Sequence, residues 1–184
     1  MIAILALVIS LGLAFNEYRR RPKKKTVRYF FQNDNVEAMY YDEQEGYLRF
    51  PHYGSDASAG FDLRASQAVI LDPGQFMMVP TGLFFDLPEG HELQIRPRSG
   101  LAAKYGITVL NTPGTVDEDY TGEVKVILIN NGANRFTINY GERIAQGVLA
   151  DVTSRPDSWE KVKSRQMLAV TERGSKGIGS TGVK

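Results

Sequence analysis

The chain has 184 residues, 42% of them hydrophobic, and a formal net charge of +1. That length suits one domain with a substantial core, and so balanced a charge makes no electrostatic case for nucleic acid as the main partner. Without cysteine, disulfides and thiolate metal centres are excluded, which fits a reducing compartment; the two histidines, His52 and His91, show no ligand spacing and read as surface or satisfied side chains.

The first fifteen residues, MIAILALVISLGLAF, are apolar or small, and a basic cluster from Arg19 to Lys25 follows. A spanning helix needs about 20 apolar residues, so the run is short for one. It reads as a short membrane anchor through residues 1–15, with the basic cluster holding the following domain on the cytoplasmic side. It also reads as a signal peptide cut near Gly12-Leu13-Ala14, although it lacks a basic leader, or as an apolar helix packed on another surface. The basic residues immediately after the run favour the anchor, and Pro22 stops any helix begun at Ile2.

From Val27 the pattern changes to short runs rich in β-branched and aromatic residues. In order they are VRYFF, YLRF, FDLRA, AVIL, FMMVPTGLFF, ELQIRP, ITVLN, EVKVILIN, RFTINY and RIAQGVLADV. Turn signals at Asp72-Pro73-Gly74, Pro88-Glu89-Gly90, Asn130-Asn131-Gly132 and Tyr140-Gly141 separate them. Many short strands at close spacing predict an all-β sandwich or jelly roll. The one convincing helix of this region is SGLAAKYG, with Ser99 as its N-cap and Gly106 as its end. The chain divides accordingly into an apolar segment with a basic linker (1–25), a β domain (26–172) and a tail (173–184).

Five clusters mix small and polar residues where a strand would need only packing. They are SAGFDLRA (58–65), RPRSGLA (96–102), NTPGTVDEDYTGE (111–123), GERIAQG (141–147) and RGSKGIGSTG (173–182). A helix opening beside Arg98 suits an anion, although an ordinary capped helix with a surface arginine would read the same. Pro113-Gly114 predicts that the preceding strand folds back as a hairpin, whose exposed backbone groups could read a flat base. Asp117 and Asp119 alternate with Glu118, so on an extended strand they share a face. A carboxylate there could activate a water, or the acids could merely decorate a turn. The tail has almost nothing to bury and is expected to be disordered when free, yet its glycines, hydroxyls and cations could close over a phosphate.

These five clusters, in this order, make the chain from about Tyr47 to its end resemble the trimeric all-β dUTP pyrophosphatases (dUTPases). The resemblance implies a distorted jelly roll with one short helix and a mobile C-terminal arm, which here would follow an N-terminal apolar helix. It implies hydrolysis of dUTP to dUMP and pyrophosphate, lowering dUTP and supplying dUMP for thymidylate synthesis. Asp117 matches the carboxylate that activates water for attack at the α-phosphorus. Asn111 and the backbone of Gly114, Thr115 and Val116 match the groups that read uracil, and Tyr120 matches the residue under the deoxyribose. Arg98, Ser99 and Gly100 match phosphate contacts, with Ser99 near the α–β bridge; Lys125 and Gln146 join the substrate-binding positions. Asp62 matches a residue that reaches the Mg²⁺ cofactor through water, most of whose ligands come from the triphosphate. Arg173, Ser175, Ile178, Gly179, Ser180 and Thr181 match the arm, donated from a neighbouring subunit of a homotrimer with shared active sites.

One position departs from the family pattern: Ile178 stands where the arm usually carries an aromatic, so it cannot stack on uracil in the same way. Two rival readings differ in chemistry. The related dCTP deaminases carry a glutamate base where this chain has Ile127, and Gly100 replaces the second serine of their PRSS motif. A non-catalytic dUTP-binding regulatory protein would have no need of Asp117.

Overall fold

The structure, a computed structural model, describes residues 26–152, 161–164 and 167. The apolar segment predicted for residues 1–15 and the arm predicted for 173–184 lie outside the described residues. The contacts divide the chain into two units after Val152, and every strand among the described residues belongs to the first.

Each of the ten runs forms a strand. In chain order the strands are β1 (Arg28–Phe31), β2 (Tyr41–Asp42), β3 (Tyr47–Leu48), β4 (Phe61–Arg64), β5 (Val69–Leu71), β6 (Phe76–Asp86) and β7 (His91–Pro97). Then come β8 (Ile107–Val109), β9 (Gly114–Val116), β10 (Glu123–Asn130), β11 (Phe136–Ile138) and β12 (Arg143–Asp151). Two four-stranded sheets, β1-β6-β10-β8 and β4-β12-β7-β9, carry the fold, with β5–β11 and β2–β3 as separate pairs. Alternation is the cause. On β10, Val124, Val126 and Leu128 point inward while Lys125 is exposed. One continuous core joins such residues from both sheets, including Leu63, Val79, Leu93, Val126 and Ile144. At its end, Phe61 meets Phe50, Tyr53 and Phe85 with ring centroids 5.7, 5.9 and 6.0 Å away. Gly147 lies beneath: a Cβ there would fall 2.7 Å from Phe61 Cζ.

Two helices flank the sheets. The expected one is α2 (Ser99–Tyr105), ended by Gly106 in the left-handed region at φ 72°. The other, α1 (Asp34–Ala38), is not among the elements expected from the sequence. Asn33 caps it by accepting from the Val36 N–H at 3.1 Å. Val36 is buried over Gly82, where φ is 67° and an added Cβ would lie 2.6 Å from Val36 Cγ2.

The hairpin expected at Pro113-Gly114 is absent. β8 pairs with β10 in one sheet, whereas β9 pairs with β7 in the other, so this turn carries the chain between sheets. Turn residues report that the chain changes direction, not which strand it meets next.

Tyr40 is 3% exposed, and its hydroxyl oxygen accepts from the Arg64 N–H at 3.1 Å. Burial pushes its pKa up to about 12, opposed by the Arg64 amide and guanidinium. The folded value lies above the unfolded one, so this contribution is complete below about pH 10 and is lost as pH rises towards 12. Wild type is expected to lose roughly 2–3 kcal/mol across that window relative to Tyr40→Phe, which has nothing to ionise there. Denaturant midpoints of the two proteins across the alkaline range measure the difference; parallel curves would remove Tyr40 as the cause.

Candidate active site

The register of the sheet β4-β12-β7-β9 assembles a cleft. Asp62 on β4 lies opposite Gln146 on β12, which lies opposite Arg96 on β7. Directly opposed residues point to one face, so these three side chains stand together. They line a cleft of about 390 Å³ with Arg98, Arg143 and the opening of α2 at Ser99 and Gly100. Gln146 is fixed by donating from Nε2 to the Pro97 carbonyl at 2.9 Å. Gly60 makes room for it, since a Cβ there would lie 2.7 Å from Gln146 Oε1.

A β-bulge aims Arg143. The pairing of β12 with β4 shifts between Arg143 and Ala145, and Ile144 and Ala145 are both buried in succession. In a regular strand Arg143 would share the inward face of Ala145. The extra residue turns it outward, onto Asp62.

Asp62 is the carboxylate of the cleft. Its Oδ2 lies 3.2 Å from Arg143 Nη1 and 3.1 Å from His52 Nδ1, and its Oδ1 lies 3.4 Å from Arg98 Nε. Arg98 also donates from Nη1 to the Arg143 carbonyl at 3.1 Å. Burial pulls the Arg98 pKa below the ordinary arginine value, and the Arg143 and Arg64 guanidiniums add to this while Asp62 opposes it. Arginine stays protonated at neutral pH even so. The cleft wall therefore holds Arg96, Arg98 and Arg143 against one carboxylate, an arrangement that an anion would relieve.

Arg98, not Ser99, occupies the N-cap of α2, with φ −88° and ψ 123° and no side-chain capping bond. Its carbonyl accepts from the Leu101 and Ala102 N–H groups, each at 3.1 Å. Ser99 is the first helical residue and is exposed, which leaves its hydroxyl free of a capping role.

The acidic cluster forms a separate feature. Thr115 on β9 faces Gln94, and buried Val116 faces Leu93. Asn111 lies against Gly114, where a Cβ would fall 3.2 Å from Asn111 Nδ2. Asp117 does not continue the strand, because the Tyr120 N–H donates to the Asp117 carbonyl at 3.1 Å and closes a turn. The shared strand face expected for Asp117 and Asp119 is therefore not formed. Glu118 is half-buried and accepts from the Gly90 N–H, leaving Asp117 exposed. Tyr120 donates from Oη to the Glu123 carbonyl at 3.0 Å, its ring lying over Gly122, where a Cβ would sit 2.6 Å from the ring. Lys125 on β10 is exposed, with Nζ 3.6 Å from Glu123 Oε2.

Of the residues expected at the site, the cleft gathers Asp62, Arg98, Ser99, Gly100 and Gln146. Asn111, Gly114, Thr115, Val116, Asp117, Tyr120 and Lys125 lie outside its lining. Arg173, Ser175, Ile178, Gly179, Ser180 and Thr181 fall outside the described residues. Sequence reasoning missed Arg96, Arg143 and His52, although the first two stand inside quoted clusters. At the position of a deaminase base, Ile127 lies opposite Met78 on the β6–β10 pair, away from the cleft.

Comparison with known proteins places this geometry. The dUTPase family profile matches residues 47–182. The deoxyuridine 5'-triphosphate nucleotidohydrolase of Neorickettsia sennetsu is 53% identical over 139 residues, covering 74% of this chain and 90% of that one. The protein of the same name from Bartonella henselae is 53% identical over 145 residues, covering 73% and 77%. Among solved structures, the Staphylococcus bacteriophage 80alpha dUTPase with dUPNHPP superposes with a TM-score of 0.69 at 23% identity, covering 86% of this chain and 99% of that one. That likeness bears on the fold. The profile, whose match spans the five clusters, and the relatives bear on descent: the chain belongs to the dUTPase family.

Proposed function

We propose that this protein hydrolyses dUTP to dUMP and pyrophosphate, lowering dUTP and supplying dUMP. The observation that carries the reading is the cleft: three guanidiniums around one carboxylate beside exposed Ser99 and Gly100, a surface suited to a polyphosphate. Asp117 is the general base for water attack at the α-phosphorus. Arg98 takes up charge developing on the leaving pyrophosphate. Because the Asp117 turn lies outside the lining of its own chain's cleft, the complete site joins the cleft of one copy to the turn of another in a homotrimer. The arm from Arg173 onward closes it.

The residues present fit Mg²⁺ held chiefly by substrate. No group of three or more His, Asp or Glu side chains gathers to hold a metal among the described residues. Asp62 already faces three cationic or imidazole groups, which suits contact through water. Bound with the triphosphate, the ion would neutralise phosphate charge. No helix among the described residues is long and apolar enough to cross a membrane. The catalytic domain is placed in the cytoplasm as part of this proposal, anchored through residues 1–15 by the apolar run and the basic cluster after it.

Pyrophosphate release from dUTP, set against UTP and dCTP, tests the reading; absence of turnover with dUTP would overturn it. Tyr120 sets sugar choice, its ring held by Gly122 beneath and the Glu123 carbonyl beyond. Tyr120→Ala opens room for a ribose 2′-hydroxyl and is expected to cut the kcat/KM ratio of dUTP over UTP by roughly tenfold or more. An unchanged ratio would move sugar discrimination elsewhere.

A further inference from the structure

We infer that Arg96 is a further substrate-binding residue, one that grips the terminal part of the phosphate chain. Arg96 lies on the cleft face of β7, opposite Gln146 and in one row with Asp62. It is exposed, and no carboxylate pairs with it among the described residues. Its guanidinium is nevertheless not free to wander. Gln94 Oε1 accepts from Arg96 Nε at 3.1 Å and from Nη2 as well, while Gln94 Nε2 donates to Glu92 Oε1 at 2.6 Å. These three residues alternate along one strand and so share a face. Glu92 orients the Gln94 amide, and the amide holds one edge of the guanidinium. Nη1 is left without a partner among the described residues.

A cation fixed on one edge, with a free edge on an anion-suited cleft, is ready for a charge-assisted hydrogen bond without first being ordered. It stands two residues before Arg98, roughly 7 Å along an extended strand. That separation puts it at a different phosphate from the one held at Arg98 and Ser99. The inference rests on the dUTP reading for the identity of the ligand, but the cleft geometry alone calls for a polyphosphate. Gln94 is a positioning residue in this scheme, since it acts only through Arg96.

The test uses the full chain and its Arg96→Ala, Arg96→Lys and Gln94→Leu variants. Calorimetry measures binding of an α,β-imido dUTP analogue, dUMP and inorganic tripolyphosphate. Arg96→Ala is expected to weaken the analogue and tripolyphosphate by roughly tenfold, with dUMP unchanged. Arg96→Lys should keep part of that affinity, and Gln94→Leu should lose a smaller factor on the same two ligands. Unchanged affinity for the analogue in Arg96→Ala overturns the proposal, and so does an equal loss for dUMP, which would mark a general collapse of the cleft. Wild type that binds tripolyphosphate through Arg96 but does not turn over dUTP would overturn the hydrolase reading and leave Arg96 standing.

Discussion

Asp117→Asn is expected to lower kcat by about 10²–10⁴, the span for loss of a general base, while dUTP still binds. The substitution keeps size and loses the charge that, in the proposed mechanism, draws a proton from water. It is also structurally quiet. Asp117 is exposed, and no cation pairs with its carboxylate among the described residues, so no ion pair is broken and no buried partner is orphaned. The turn is held by the Asp117 main-chain carbonyl, which asparagine retains. Single-turnover kinetics with a melting curve separate the possibilities. A slow chemical step in a protein of wild-type stability is the expected result. Turnover at the wild-type rate would remove Asp117 from the mechanism. The same change at Asp62 would be less informative, because that carboxylate holds Arg98, Arg143 and His52 in place.

Deleting residues 173–184 is expected to lower turnover by roughly 10²-fold or more, as the loss of a group that positions substrate does. The fold should survive, since the buried core among the described residues draws on side chains from Val36 to Ala145. In the proposed mechanism Arg173 bonds the γ-phosphate, and Ser180 and Thr181 supply further donors. Ordering a backbone costs about 1–2 kcal/mol per residue, so only a full triphosphate offsets it. Near-normal activity in the truncated protein would leave the segment without a catalytic role. Protection of the tail from protease by dUMP as strong as by a non-hydrolysable dUTP analogue would count equally against the scheme.

The strands were legible because a half-buried sheet imposes a period of two, and β10 shows it without interruption. β9 was not, since its three residues, Gly114 to Val116, sit inside a run of turn residues. α1 escaped because a five-residue helix has too few positions for a helical period, although Asn33 before Asp34 is an N-cap signal that could have found it. The division of the site was legible only in part. Cluster order told that Arg98, Ser99, Asp62 and Gln146 belong together, but nothing local tells that Asp117 closes a turn outside that cleft. Arg96 and Arg143 read as ordinary strand-surface arginines until the register and the bulge showed which way they face.

The bulge on β12 has a bearing on how this region tolerates insertion and deletion. Whether a side chain on an extended strand meets oil or water depends on whether its count from a fixed neighbour is odd or even. The single surplus residue at Ile144 changes that parity once, so Arg143 and Gln146 both reach the cleft although they are three positions apart. Substitution leaves the parity alone. Removing one of the two residues between them would remove the bulge and leave Arg143 and Gln146 two apart on one face, whereas adding a residue between them with the bulge kept would send one of the two inward against the core around Leu63 and Ile144. By contrast, the stretch from Asn33 to Leu48 joins β1 to β4 through a short helix and a two-stranded pair that belongs to neither large sheet. Length can change there without altering any count in the cleft, so insertions in relatives of this chain should fall in that stretch and not between Arg143 and Gln146.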